Sequence, residues 1–246
     1  MEVFGPTIQG EGMVIGRKTM FVRTGGCDYS CVWCDSAFTW DGSEKGTLKT
    51  GKDIWTELIE KGSVPDGKGG HTLNFNHITI SGGNPALFND PIADLMERAH
   101  MNGVEIGLET QGSRWQDWFV GVDDLTISPK PPSSGMTTNF DALDSIITQL
   151  DVFAIQQSTE KNYTLKVVVF DDADVEYAKY INERYQPEVL YLSVGNADAH
   201  QEGPISGRLL TKLDWLWEKV MADPAMNNAR PLPQLHTLVW DNKRGV

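Results

Sequence analysis

The chain is poor in cysteine. Its 246 residues include three, Cys27, Cys31 and Cys34, and all of them fall in one short stretch. An odd number of thiols at this spacing excludes a disulfide framework, because one is left over. A four-thiolate structural zinc site is excluded by the lack of a fourth cysteine, and His71, the nearest histidine in sequence, lies outside the usual short spacing. Positive charge is also scarce: 21 Lys and Arg stand against 34 Asp and Glu, a formal net charge of −13. That balance gives no general electrostatic footprint for nucleic acid or an anionic membrane, so neither is expected as a partner. No run approaches the ~20 apolar residues of a membrane-spanning helix. Residues 1–12 have neither a basic n-region nor an apolar core, which predicts no signal peptide. Free thiols suit a reducing compartment, and the expected location is cytoplasmic. There is no fixed-period repeat and no low-complexity linker. The glycine-rich stretches at 62–70 and 203–207 are short enough to be loops within one domain.

What is present centres on residues 25–41, GGCDYSCVWCDSAFTWD. Thiols used as small hydrophobes would be scattered, so this clustering is poorly explained by packing. Three readings are open: an iron–sulfur cluster with one iron lacking a protein ligand, a zinc ion, or a redox or packing role.

Around this stretch the apolar pattern alternates between periods. It predicts strands over 19–23, 77–81, 104–109, 124–128, 163–170 and 189–194, and helices over 52–61, 90–101, 139–150, 172–185 and 206–221. Strands alternating with helices argue for parallel β/α units in a single α/β domain spanning 1–246. The polar and glycine-rich motifs fall where strands end: the cysteine loop, then Ser81–Pro85, Glu109–Gly112 and Ser128–Lys130. Chemistry in such folds sits at the C-terminal strand ends. Each motif also has a plainer reading. The glycines after Ser81 fit a tight turn as well as a close approach to a ligand. Glu109 is a loop acid or a contact for a guanidine-like edge. Lys130 is part of a stiff surface loop or grips a carboxylate or ribose. Gln9 and Glu11 sit in a mobile terminus or read a heterocycle edge. Arg23 makes a surface ion pair or binds a substrate carboxylate. Ser36 offers a hydroxyl to a hard cation. His236, between apolar residues, reads as a core histidine. Trp33 and Trp40 lie near the thiols. Trp215 and Trp217 cannot both face one core, so one is expected at a partner subunit.

The C-x3-C-x2-C spacing with Trp33 before the last cysteine resembles the radical S-adenosylmethionine enzymes. Together with FGPTIQGEG (4–12), FVRTGGC (21–27), CDS (34–36), SGGNP (81–85), ETQG (109–112), SPKPP (128–132) and PQLHTL (233–238), it resembles the 7-carboxy-7-deazaguanine synthase family over essentially the whole chain. Asn84 departs from the superfamily pattern, which has Glu after two glycines. The resemblance implies a partial (β/α)6-type radical S-adenosylmethionine barrel whose C-terminal tail, 230–246, closes the active site. It implies a [4Fe–4S] cluster on Cys27, Cys31 and Cys34, with S-adenosylmethionine chelating the fourth iron and lined by Trp33, Cys34, Asp35, Gly83, Ser128, Pro129 and Lys130. Mg2+ would sit at Ser36. A pterin substrate would meet Ile8, Gln9, Gly10, Arg23, Ser81, Glu109 and the carboxylate of Val246. The implied reaction, a carbon–nitrogen lyase chemistry, turns 6-carboxy-5,6,7,8-tetrahydropterin into 7-carboxy-7-deazaguanine with loss of ammonia, on the way to queuosine in tRNA. An electron donor such as flavodoxin and a homodimer are implied as well. Two other readings are a glycyl-radical-enzyme activating protein and a non-enzymatic iron–sulfur carrier or zinc module. The second leaves the motifs at four strand ends unexplained.

Overall fold

A computed structural model describes residues 1–197, 199 and 203–246. The chain opens with β1 (Glu2–Ile8), antiparallel to β2 (Lys18–Thr24). After the cysteine loop come α1 (Gly51–Gly62) and a small hairpin, β3 (Ser63–Pro65) with β4 (His71–Leu73). There follow β5 (His77–Gly82), α2 (Asp90–Met101), β6 (Glu105–Thr110) and β7 (Asp124–Ile127). Next are α3 (Phe140–Gln157), β8 (Tyr163–Val169), α4 (Asp172–Tyr185), β9 (Leu190–Val194) and α5 (Ser206–Met221). The chain closes with β10 (Ala229–Leu232) and α6 (Leu235–Trp240).

One eight-stranded sheet runs through the molecule in the order β1-β2-β5-β6-β7-β8-β9-β10. Every pairing after the first is parallel, and the two edges do not meet, so this is an open, partial barrel. The six expected parallel strands are present. Two edge strands, β1 and β10, join them where the sequence reads as loop. Residues 4–12, a candidate mobile terminus by sequence, thus lie partly in β1.

Strand alternation divides the sheet into two faces. Met20, Val22, Ile78, Ile80, Ile106, Leu125, Ile127, Leu165 and Val167 are fully buried on the helix-covered face, which holds the core. Arg23, Ser81, Glu109, Ser128 and Lys166 have the other parity and share the opposite face. Between β6 and β7 no α-helix forms. The 3-10 turn Asp117–Gly121 fills that place with Trp118 and Phe119, stacked edge-on at 4.9 Å, so the barrel has fewer helices than strands.

Helix starts follow local chemistry. Thr50 and Asp53 form a reciprocal capping box on α1, and Asn139 caps α3 by accepting from the Ala142 N–H. α3 runs to Gln157, past the expected end at Leu150, and stops where Ser158 turns left-handed at φ 54°. No helix among the described residues is long and apolar enough to cross a membrane.

Candidate active site

A cavity of about 240 Å³ opens on the polar face of the sheet. Cys27, Cys31 and Cys34 line it, brought there by the loop after β2. N–H donors surround the sulfurs. Tyr29 N–H donates to Cys27 Sγ at 3.4 Å, Gln111 Nε2 reaches the same sulfur at 3.6 Å, and Trp40 Nε1 reaches Cys34 Sγ at 3.5 Å. Burial pushes all three thiols up, Cys31 to about 11. Metal in place of the proton reverses that cost, because metal ligands bind as thiolates. Among the described residues, no group of three or more His, Cys, Asp or Glu is arranged to hold a single metal ion. A cubane uses three different irons for three thiolates, so its ligands need not converge on one point. The N–H donors around sulfur suit that use.

The loop is tied to its neighbours by a buried polar knot. Asp28 Oδ1 accepts from Asn84 Nδ2 at 2.8 Å and from Gln111 Nε2 at 2.5 Å. Asn84, with no exposed surface, also donates to Ser113 Oγ at 3.0 Å and accepts from Thr110 Oγ1 at 2.9 Å. Asn84 is therefore spent on holding three strand ends together. Gln111 went unnoticed in the sequence beyond its place in a motif.

On the far side Trp33 tilts against Phe170 with centroids 5.0 Å apart, and its Nε1 donates to Ser133 Oγ at 3.1 Å. The Lys130 ammonium lies 5.9 Å over the Trp33 ring. Asp35, Ser36, Gly83, Ser128 and Lys130 all line the cavity, whereas Pro129 is buried between the last two and does not. Ser36 Oγ donates to Asp35 Oδ1 at 3.0 Å.

The remaining predicted residues, Ile8, Gln9, Gly10, Arg23, Ser81, Glu109 and Val246, line the same cavity. Arg23 Nη1 pairs with Glu2 at 2.9 Å, and its guanidinium lies 4.9 Å over Phe4 and 5.3 Å over Phe38. The amide of Gln9, 4% exposed, donates to Glu109 Oε1 at 3.0 Å and accepts from the Gly10 N–H at 2.7 Å. The tail docks on this segment. Leu235 N–H donates to the Gly10 carbonyl at 2.9 Å, and a Cβ on Gly10 would meet His236 Nδ1 at 2.1 Å. His236, expected in the core, is half-buried and faces the cavity.

One member is missing from the sequence reading. Lys166 Nζ bridges Glu11 Oε2 at 2.8 Å and Glu109 Oε2 at 2.7 Å. Burial alone would lower the Lys166 ammonium, but Glu109 and Glu11 outweigh it and raise it well above the usual range. Burial alone would raise the Glu11 carboxyl. Lys166, His236 and Gln234 more than offset that and hold it at about 2.

The fold is shared with known structures. It resembles the crystal structure of QueE from Escherichia coli with a TM-score of 0.61 at 20% identity, covering 95% of this chain and 92% of that one. Streptococcus suis SuiB bound to S-adenosylmethionine gives a TM-score of 0.55 at 15% identity, over 90% of this chain and 52% of the other. In sequence the chain is 52% identical over 250 residues to 7-carboxy-7-deazaguanine synthase of Bacillus cereus, covering all of this chain and 98% of the relative. The Bacillus subtilis 7-carboxy-7-deazaguanine synthase is 51% identical over 252 residues, again covering all of this chain and 97% of the relative. No family model matches the chain. The chain belongs to the 7-carboxy-7-deazaguanine synthase family.

Proposed function

We propose that this chain converts 6-carboxy-5,6,7,8-tetrahydropterin into 7-carboxy-7-deazaguanine with release of ammonia. The observation that carries the reading is the meeting, in one cavity, of three thiols with Gly83, Ser128, Lys130, the 8–11 segment and the chain end. In this reading Cys27, Cys31 and Cys34 hold a [4Fe–4S] cluster. With S-adenosylmethionine bound, the cluster supplies reductive cleavage and hydrogen-atom abstraction. The protein positions the substrate and excludes water. Trp33, Asp35, Gly83, Ser128 and Lys130 line S-adenosylmethionine, with the Lys130 ammonium, 3.5 Å from Ser128 Oγ, keeping further donors for its carboxylate or ribose. Arg23 is braced by Glu2, which leaves donors of its guanidinium for the pterin carboxylate. Ser81 and the Ile8–Gly10 segment border the ring, and Val246 borders the same space. Ser36 would offer one hydroxyl oxygen to a Mg2+ ion, a hard cation that would help fix the substrate.

A cytoplasmic, homodimeric enzyme reduced by a flavodoxin-like donor completes the proposal. Trp217, 45% exposed on α5 beside exposed Leu210 and Met221, supports a partner-facing surface there. A glycyl-radical activating role is not favoured, since the full-length relatives carry the synthase name. The test is product identity. After anaerobic reconstitution, mass spectrometry should find 7-carboxy-7-deazaguanine from the tetrahydropterin with wild-type protein and none with C27A, C31A or C34A. S-adenosylmethionine cleavage without the deazaguanine would overturn the substrate assignment.

A further inference from the structure

We propose that Lys166 is a positioning residue whose ammonium holds Glu109 and Glu11 side by side as an acceptor floor that selects substrates with an N–H-rich, guanidine-like edge. The proposal deepens the synthase reading and rests on it.

Lys166 sits in the middle of β8, a strand otherwise made of Tyr, Thr, Leu and Val. Its outward neighbours Leu165 and Val167 are fully buried under the helices, so alternation turns Lys166 to the cavity face. The side chain is 4% exposed, against 13% for Glu11 and 22% for Glu109. The ammonium therefore stands behind, and the carboxylates stand in front.

Counting donors shows what the floor offers. Glu109 takes one donor on each oxygen, Gln9 Nε2 on Oε1 and Lys166 on Oε2. Glu11 takes Gln234 Nε2 on Oε1, at 2.7 Å, and Lys166 on Oε2. A carboxylate oxygen accepts two hydrogen bonds, so each of these oxygens keeps a free lone pair. Both acids are locked in place and still able to accept. Without the ammonium, two adjacent carboxylates would repel, and one would take up a proton and become a donor. The floor would then lose its selectivity. A 2-amino-4-oxo ring presents adjacent N–H donors that match it. An analogue lacking the 2-amino group leaves buried acceptors unpaired, the situation that gives strong discrimination.

The test compares kcat and KM for the carboxytetrahydropterin and for its counterpart with hydrogen in place of the 2-amino group, in wild type, K166M and K166R. The wild type is expected to prefer the amino-bearing substrate by about 100-fold or more in kcat/KM. K166M should raise KM for the pterin about tenfold or more and erase most of the preference, with S-adenosylmethionine affinity retained. K166R keeps the charge in a wider head group and should recover part of both. A K166M enzyme with wild-type KM and preference would overturn the role. So would a wild type that turns over both substrates alike, a result that needs no variant and leaves the synthase reading standing. A wild type that converts no pterin would overturn that reading, and this proposal with it.

Discussion

A side chain on Gly83 would place its Cβ 1.9 Å from the carbonyl oxygen of Gly26. The turn after β5 is thus pressed against the root of the cysteine loop, and the backbone bonds agree: Gly83 N–H donates to Thr24 O at 3.1 Å and Asn84 N–H to Gly26 O at 2.8 Å. The glycine serves loop-to-loop contact as well as any ligand. A G83A variant must push the cysteine loop away, at a cost of about 2–3 kcal/mol. It should show lower iron per chain after reconstitution and a lower Tm, measured by iron assay and thermal unfolding.

Asn84 invites a substitution that would restore the superfamily motif. N84E removes the donation to Asp28 Oδ1 and Ser113 Oγ and sets a second carboxylate in a fully buried place. Unpaired buried polar groups cost about 1–3 kcal/mol each. The expected outcome is a destabilised protein with impaired cluster retention, and N84D should suffer similarly through repulsion with Asp28. Unfolding curves and iron content check both.

Arg244 links the chain end to the cysteine loop. It grips Glu44 through two nitrogens, reaches Glu2 at 3.2 Å and lies 3.6 Å over the Phe38 ring. Its ion pairs are exposed, so R244A should cost no more than about 1 kcal/mol of stability. The effect should appear instead in KM for the pterin, because Val246 lies two residues on and lines the cavity. Raised KM with nearly unchanged Tm is the expected pattern.

Acid sensitivity follows from Glu11. Its carboxyl has an ordinary value of 4.5 and is held at about 2 in the fold. A depressed carboxyl contributes stability that is complete above 4.5 and is lost as pH falls from there towards 2. Lys166 is shifted the opposite way, so its contribution persists through neutral pH and fades only on the alkaline side. Wild-type Tm should therefore drop below pH 4.5, and E11Q should show a shallower decline over the same interval.

The cysteine loop was legible because thiols occur nowhere else in the chain. The inner strands were legible because apolar runs alternate with amphipathic helices. The edge strands were not, for a physical reason. β1 contains Pro6 and an irregular register between Phe4 and Thr7, and β10 contains Pro231. Proline is tolerated at a sheet edge, yet in sequence it reads as a break. Lys166 was invisible for a different reason. Its partners lie 57 and 155 positions away, and no local pattern marks a lysine in an apolar strand as paired. His236 looked like a core residue because its neighbours are apolar. Only the docking of α6 against Gly10 turns it to the cavity.

The proposed synthase reaction has one diagnostic product. The most direct measurement, in anaerobic reactions with reductant, Mg2+ and S-adenosylmethionine, counts 7-carboxy-7-deazaguanine formed against tetrahydropterin consumed. The synthase reading predicts deazaguanine in step with tetrahydropterin lost. Consumption of S-adenosylmethionine with no deazaguanine formed would contradict it.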